Sequence, residues 1–199
     1  MRETGLSGIE RFLILQRVTL MVNRYEVRAA GSDGTPGALL ALAEQKRLAF
    51  KEEVTFFADE ARRVPVFSFK ARSRMDLGAT YDVRDAAGTP IGLFRKDFGK
   101  SLLRSTWHLE AAGVAATGTE RSAAVAIGRR AWELLPVVES LPSPFRFHFD
   151  FRDAAGDVVL SSQRMRSLRD RYEVTVPGAR VDGRVAAAMC VALDALQSR

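Results

Sequence analysis

From Val185 to Leu193 the chain reads Val-Ala-Ala-Ala-Met-Cys-Val-Ala-Leu, with no polar residue on any side of a helical wheel. A helix that is apolar all round has no face suited to water and belongs inside a core or a membrane. The stretch Asp182–Leu196 would be about 22 Å long as a helix, short of the roughly 30 Å hydrocarbon core of a bilayer. Asp194 also interrupts it. The expectation is a buried helix with the rest of the chain wrapped around it. Pro177-Gly178 turns the chain ahead of it, Asp182 suits the N-cap, and the alanines at 186–188, 192 and 195 keep it thin enough for close approach.

The upstream chain reads as strands. Phe12, Ile14, Val18, Leu20 and Val22 share one parity, broken only by Gln16, while Arg17 and Thr19 take the other. Period two with β-branched residues marks strands that bury one face. Tyr25-Glu-Val-Arg is another strand, ending in the turn-forming run Gly31-Ser-Asp-Gly-Thr-Pro-Gly37. Ala38 to Ala43 resumes as strand, and Gln45 to Glu53 suits either strand or polar loop. Val64 to Arg74 alternates strictly: Phe67, Phe69 and Ala71 on one side, Ser68, Lys70, Arg72 and Arg74 on the other. That is the pattern of a sheet with one packed and one wet face.

An internal repeat carries more than any single residue. Tyr81-Asp-Val-Arg-Asp-Ala-Ala-Gly88 recurs as Phe149-Asp-Phe-Arg-Asp-Ala-Ala-Gly156, with a looser copy at Tyr25-Glu-Val-Arg-Ala-Ala-Gly31. Each copy is a strand running into a turn and a second strand, with the aromatic and the Val or Phe inward and the acid and Arg outward. Asp85 and Asp153 are expected to accept backbone hydrogen bonds in their turns. Repeated hairpins make an antiparallel meander, which removes its edges by closing into a barrel. An open sandwich would suit the hairpins equally.

Ser101 to Glu110 reads as strand, Gly113 to Thr119 as a small-residue loop, and Glu120 to Leu135 as a second helix ended by Pro136. Phe145, Phe147, Phe149 and Phe151 share one parity and read as core, and Asp170 to Val176 is the last strand. No internal domain boundary is visible, so residues 1–199 read as one domain with 182–197 as its central helix.

Little in the chain points to catalysis. It has no phosphate-cradling glycine loop, dinucleotide fingerprint or nucleophile elbow. His108 and His148 are its only histidines and read as surface or half-buried strand residues, while Cys190 lies in the apolar helix. Catalytic residues, metal ligands and cofactors are therefore expected to be none, and the protein is expected not to be an enzyme. A lone cysteine and a polar start, Met1 to Gly8, suit a cytoplasmic setting without a signal peptide.

The hairpins beginning at Tyr25-Glu-Val, the closing Asp170-x-Tyr-x-Val, Asp182 and the helix ending Ala192-Leu-Asp194 together resemble the Tubby C-terminal-like superfamily. Within it, the LURP-one-related proteins and the phospholipid scramblases are most similar. The resemblance covers nearly the whole chain. It implies a closed antiparallel barrel of about twelve strands around a buried hydrophobic C-terminal helix. It also implies phosphoinositide binding, membrane tethering or lipid scrambling as the kinds of activity found among relatives. The carboxylates expected of a scramblase calcium segment are sparse here: Asp170, Glu173 and Asp182 fall short of the roughly six to eight oxygens calcium takes.

A net charge of +6 favours polyanionic partners. Lys70, Arg72 and Arg74 form one basic stripe; Arg95 and Lys96 flank a turn; Arg164 and Arg166 crowd another. Guanidinium groups gathered around a phosphate would bind it through paired hydrogen bonds. These seven residues are the expected ligand site, for an anionic phospholipid or phosphoinositide headgroup at a membrane surface. Nucleic acid is disfavoured because the aromatics sit mostly on the parity opposite the charges. A protein-interaction scaffold is the remaining alternative.

Overall fold

The computed structural model describes residues 5–18, 22–46, 53–72, 80–97, 106–120, 148–165 and 171–197. Its strands are β1 (Arg11–Val18), β2 (Val22–Ala30), β3 (Pro36–Lys46), β4 (Glu53–Phe57), β5 (Pro65–Ala71) and β6 (Thr80–Asp85), followed by β7 (Pro90–Asp97), β8 (Thr106–Ala111), β9 (Val114–Glu120), β10 (His148–Arg152), β11 (Val158–Arg164) and β12 (Arg171–Thr175). Every strand pairs antiparallel with its neighbours in sequence, and β1 pairs with β12 from Arg11↔Thr175 to Leu15↔Arg171. The meander closes, leaving no unpaired edge to template association.

Helix α1 (Gly183–Gln197) fills the barrel. Val185 to Ala192 are buried all round, as an unstriped apolar surface requires. Facing it are large side chains from the wall, among them Phe12, Phe69, Phe94, Trp107 and Phe151, all almost fully buried. A thin alanine-rich axis and a thick aromatic wall thus complement one another in volume. Aromatic rings contact one another around the wall: Phe56 stacks on Phe67 at 4.1 Å and Tyr81 on Phe94 at 5.1 Å, with Phe69 edge-on to Phe94 at 5.4 Å. Asp182 caps the helix as expected, accepting the Arg184 amide at 2.8 Å through Oδ1.

Asp194, the acid that interrupts the apolar run, is bonded to the wall. Its Oδ2 accepts the Tyr25 hydroxyl at 2.9 Å and its Oδ1 accepts the Tyr172 hydroxyl, from β2 and β12. Burial, and then the neighbouring Asp194 carboxylate, raise the Tyr25 phenol well above its ordinary pKa, which keeps it a proton donor. Hydrogen bonds to a charged acceptor contribute about 1.5–3 kcal/mol each. The helix is therefore held in register at one end by directional bonds as well as by packing.

The repeat is structural. In the β6–β7 turn Asp85 Oδ1 accepts the amides of Ala87 and Thr89, both at 2.9 Å; in the β10–β11 turn Asp153 Oδ1 accepts those of Ala155 and Asp157, both at 3.0 Å. Each repeat arginine also folds back on its turn, Arg84 to the Gly88 carbonyl and Arg152 to that of Gly156. The inward positions, Tyr25, Val27, Tyr81, Val83, Phe149 and Phe151, are buried as the pattern requires.

Two readings of the sequence need correction. Residues 113–119 are not a loop: Val114–Glu120 is β9, hydrogen-bonded to β8 and β10. Its small residues serve packing, for a Cβ on Gly118 would overlap the ring of Phe151 on the neighbouring strand. Glu120 correspondingly ends a strand and does not begin a helix; the rest of the expected helix, 121–135, lies outside the described residues. Glu53–Phe57, left between strand and loop or unassigned, is β4. Glu26 keeps its expected outward parity but is only 1% exposed, covered by the guanidinium groups of Arg17, Arg24 and Arg28 at 2.9–3.4 Å.

Gly118→Ala is expected to destabilise the protein by about 1–3 kcal/mol through overpacking. Urea unfolding measures the loss, and Phe151→Leu in the same chain should restore part of it. Additive losses from the two substitutions would mean that glycine and ring do not share that space.

Candidate functional site on the barrel wall

Because α1 occupies the interior, ligand chemistry accessible from solvent must lie on the outer wall or at the ends. The expected site residues do not form one patch. Lys70 and Arg72 point outward, but both are ion-paired: Lys70 Nζ with Glu53 at 3.4 Å, and Arg72 with Asp82 through Nη2 at 2.7 Å and Nε at 3.0 Å. The hydrogen bonds and charge of Asp82 hold the Arg72 proton more tightly still. Lys96 shares the inward parity of its register partner Trp107, with Nζ 5.9 Å from the centre of the indole ring. Arg164 is in register with Tyr172, whose hydroxyl bonds the helix, and so lies on that same side of the wall. Arg74 and Arg166 lie outside the described residues.

Arg95 differs from these. Its side chain is exposed on β7 and makes no hydrogen bond or ion pair with any described residue. Strand register sets it in a continuous row. The Arg72 amide bonds the Thr80 carbonyl at 2.9 Å; Thr80 is opposite Arg95, Arg95 opposite His108, His108 opposite Thr117, and Thr117 opposite Arg152. One outward line across six strands thus reads Arg72, Thr80, Arg95, His108, Thr117, Arg152. Strands are spaced about 4.8 Å apart, so the backbones of Arg95 and Arg152 are about 14 Å apart with His108 and Thr117 between them.

An open groove of about 610 Å³ runs along this part of the row, lined by Arg95, His108, Glu110, Thr117 and Arg152 and rimmed by the β10–β11 turn. His108 is fixed from both ring nitrogens, Nε2 against Asp97 Oδ2 and Nδ1 against Thr117 Oγ1, each at 3.2 Å. With Nε2 donating to the carboxylate, Nδ1 accepts the threonine hydroxyl when the ring is neutral and donates to it when the ring is charged. The β9 amides around Thr117 are committed to ladders on both sides, so no oxyanion-binding pair of backbone donors stands beside that hydroxyl. The arrangement gathers outward-facing cationic and polar side chains along one groove. Burial pushes the Cys190 thiol up to about 12, which leaves it unreactive inside the barrel.

The rim is held by charge. Asp153 accepts Arg180 Nη2 at 2.6 Å, and that bond, with the turn amides, keeps its carboxyl below the usual aspartate range despite opposing desolvation. Sequence reasoning missed Arg152, Thr117 and Glu110 as site residues. The repeat had already marked Arg152 as outward-facing, but reading 113–119 as a loop removed the strand that joins it to His108. Among the described residues no group of three or more His, Cys, Asp or Glu side chains is gathered to hold a metal, and no helix is long and apolar enough to cross a membrane.

The described residues form a closed twelve-stranded antiparallel barrel with an apolar C-terminal helix inside it. A family model described as LURP-one-related matches residues 41–194, from the middle of β3 to the tyrosine-bonded Asp194. The chain belongs to the LURP-one-related family, within the Tubby C-terminal-like superfamily. No curated protein and no solved structure matches it significantly.

The depressed carboxyl of Asp153 contributes stability that is complete above the ordinary aspartate value of about 3.9 and fades as pH falls through its lower folded value. Asp153→Asn should therefore unfold in less urea than the parent near neutral pH, with the gap closing as the pH drops below about 4. A gap of constant size across that range would show that the charge of Asp153 is not what holds the turn.

Proposed function

We propose that this protein is a non-enzymatic binding module that recognises phosphate-bearing headgroups of anionic phospholipids through the Arg95–Arg152 groove and so attaches peripherally to the cytoplasmic face of a membrane. The observation that carries this reading is Arg95, an exposed guanidinium without a carboxylate partner, in one ladder row with His108, Thr117 and Arg152. Exposed ion pairs such as Lys70–Glu53 and Arg72–Asp82 leave less net field for a ligand, whereas an unpaired arginine is available for two hydrogen bonds to phosphate. Lys70 and Arg72, outward but ion-paired, would then add only to the general attraction toward an anionic surface. A scaffold for protein partners is less favoured: among the described residues Val64 is the exposed large hydrophobic residue, and one such residue makes no apolar docking patch.

The test is co-sedimentation with vesicles of phosphatidylcholine alone or with phosphatidylserine or a phosphoinositide added, at low and physiological salt. Binding that needs the anionic lipid and persists at physiological salt is expected. It should fall about fivefold or more with each of Arg95→Glu and Arg152→Glu. Arg63→Glu, on an exposed turn away from the groove, removes the same charge and should change binding much less. Equal losses from all three variants, or binding that disappears with salt, would contradict a built site.

A further inference from the structure

The groove is not uniformly basic. Glu110 projects into it from β8, two residues from His108 and therefore on the same outward face. Its carboxylate is exposed and makes no hydrogen bond or ion pair with a described residue; it acts electrostatically on Arg72 at longer range. Its register partners are Leu93 on β7 and Ala115 on β9, so no cation stands opposite it on either neighbouring strand. One open carboxylate thus stands beside Arg95 and Arg152, about 7 Å along the strand from the row at His108.

For a ligand that is only a polyanion, this carboxylate is a defect, since like charge beside the phosphate weakens every contact. For a ligand that carries a cation next to its phosphate it is a complement. We infer that the groove selects a phosphate ester bearing an ammonium group on a short spacer, of the phosphoserine or phosphoethanolamine kind, with phosphate between Arg95 and Arg152 and ammonium at Glu110. This inference rests on the phosphate-binding reading of the same site and specifies its ligand. Pairing two opposite charges of the ligand with two opposite charges of the wall gives discrimination that net charge cannot, because the mismatched ligand leaves one group unpaired. A membrane lipid headgroup and a soluble phosphate ester share this chemistry.

Two comparisons hold ligand charge nearly constant. Phosphatidylserine and phosphatidylglycerol vesicles carry the same net charge per lipid, but the first alone has the ammonium. Among soluble probes, O-phosphoethanolamine has the ammonium and inorganic phosphate lacks it. The parent protein is expected to prefer the ammonium-bearing member of a pair about tenfold. Glu110→Gln should move the two members in opposite directions, weakening O-phosphoethanolamine and phosphatidylserine and strengthening inorganic phosphate and phosphatidylglycerol. Preference in both pairs assigns the headgroup as ligand, and preference in the soluble pair alone assigns a free ester. Equal strengthening of both members by Glu110→Gln, or no preference in either pair, would overturn the inference while leaving phosphate binding standing. Failure of the parent to bind any of the four probes would overturn both.

Discussion

The constraint on which the structure depends is that α1 has no polar residue from Val185 to Leu193. Such a segment must be surrounded, and antiparallel hairpins are the part of this chain able to surround it. Twelve strands give a wall long enough to close, and closure in turn satisfies the backbone groups that an open sheet would leave unpaired. The details of both partners follow from this enclosure. The helix is built from alanine and valine where the wall supplies phenylalanine and tryptophan. At two positions in contact with the helix or its start, glycine stands where a side chain would collide. A Cβ on Gly92 would fall 2.9 Å from Val185 of the helix, and Gly183 packs on the backbone of Leu6. Asp194 then adds what apolar packing lacks, a directional bond to two strands that fixes how far the helix has entered.

Filling the interior moves any function outward. The helix takes up the barrel interior, and the outer wall is a ladder in which register decides which side chains meet. Most charges on that wall meet an opposite charge: Glu26 lies beneath three arginines, Arg62 bonds Glu44 at 2.7 Å, and Arg11 bonds Glu173 at 2.6 Å. Against that background the row from Arg95 to Arg152 stands out less for its charge than for how little of it is neutralised. Glu110 is unpaired beside it, which gives the groove two signs instead of one.

Local pattern and burial were readable from the sequence. The helix declared itself by the absence of polar residues, its cap by Asp182, the core by the phenylalanines at 149 and 151, and the turns by Asp85 and Asp153 of the repeat. What was not readable depended on neighbours far away in sequence. Gly118 stands in β9 because the ring of Phe151 takes up the volume a side chain would need, and that proximity is a fact of strand order. Glu26 keeps the outward parity of its strand but is covered by long arginine side chains that no periodicity describes. The basic row has the same character. Arg72, Arg95, His108 and Arg152 are spread over about eighty residues of chain and share a line only once five strand registers are set, whereas Lys70 and Arg72 of the stripe legible in the sequence are matched by carboxylates on β4 and β6.

The dependence of the whole barrel on its helix is tested most directly by native-state hydrogen exchange of the Val185–Leu193 amides across a urea series. The account requires these amides to exchange only when the barrel itself opens, with the same free energy and the same urea dependence as the amides of β7 and β12. Exchange of the helix at markedly lower free energy and with little urea dependence, while the strands stay protected, would show that the barrel stands without it and would contradict the account.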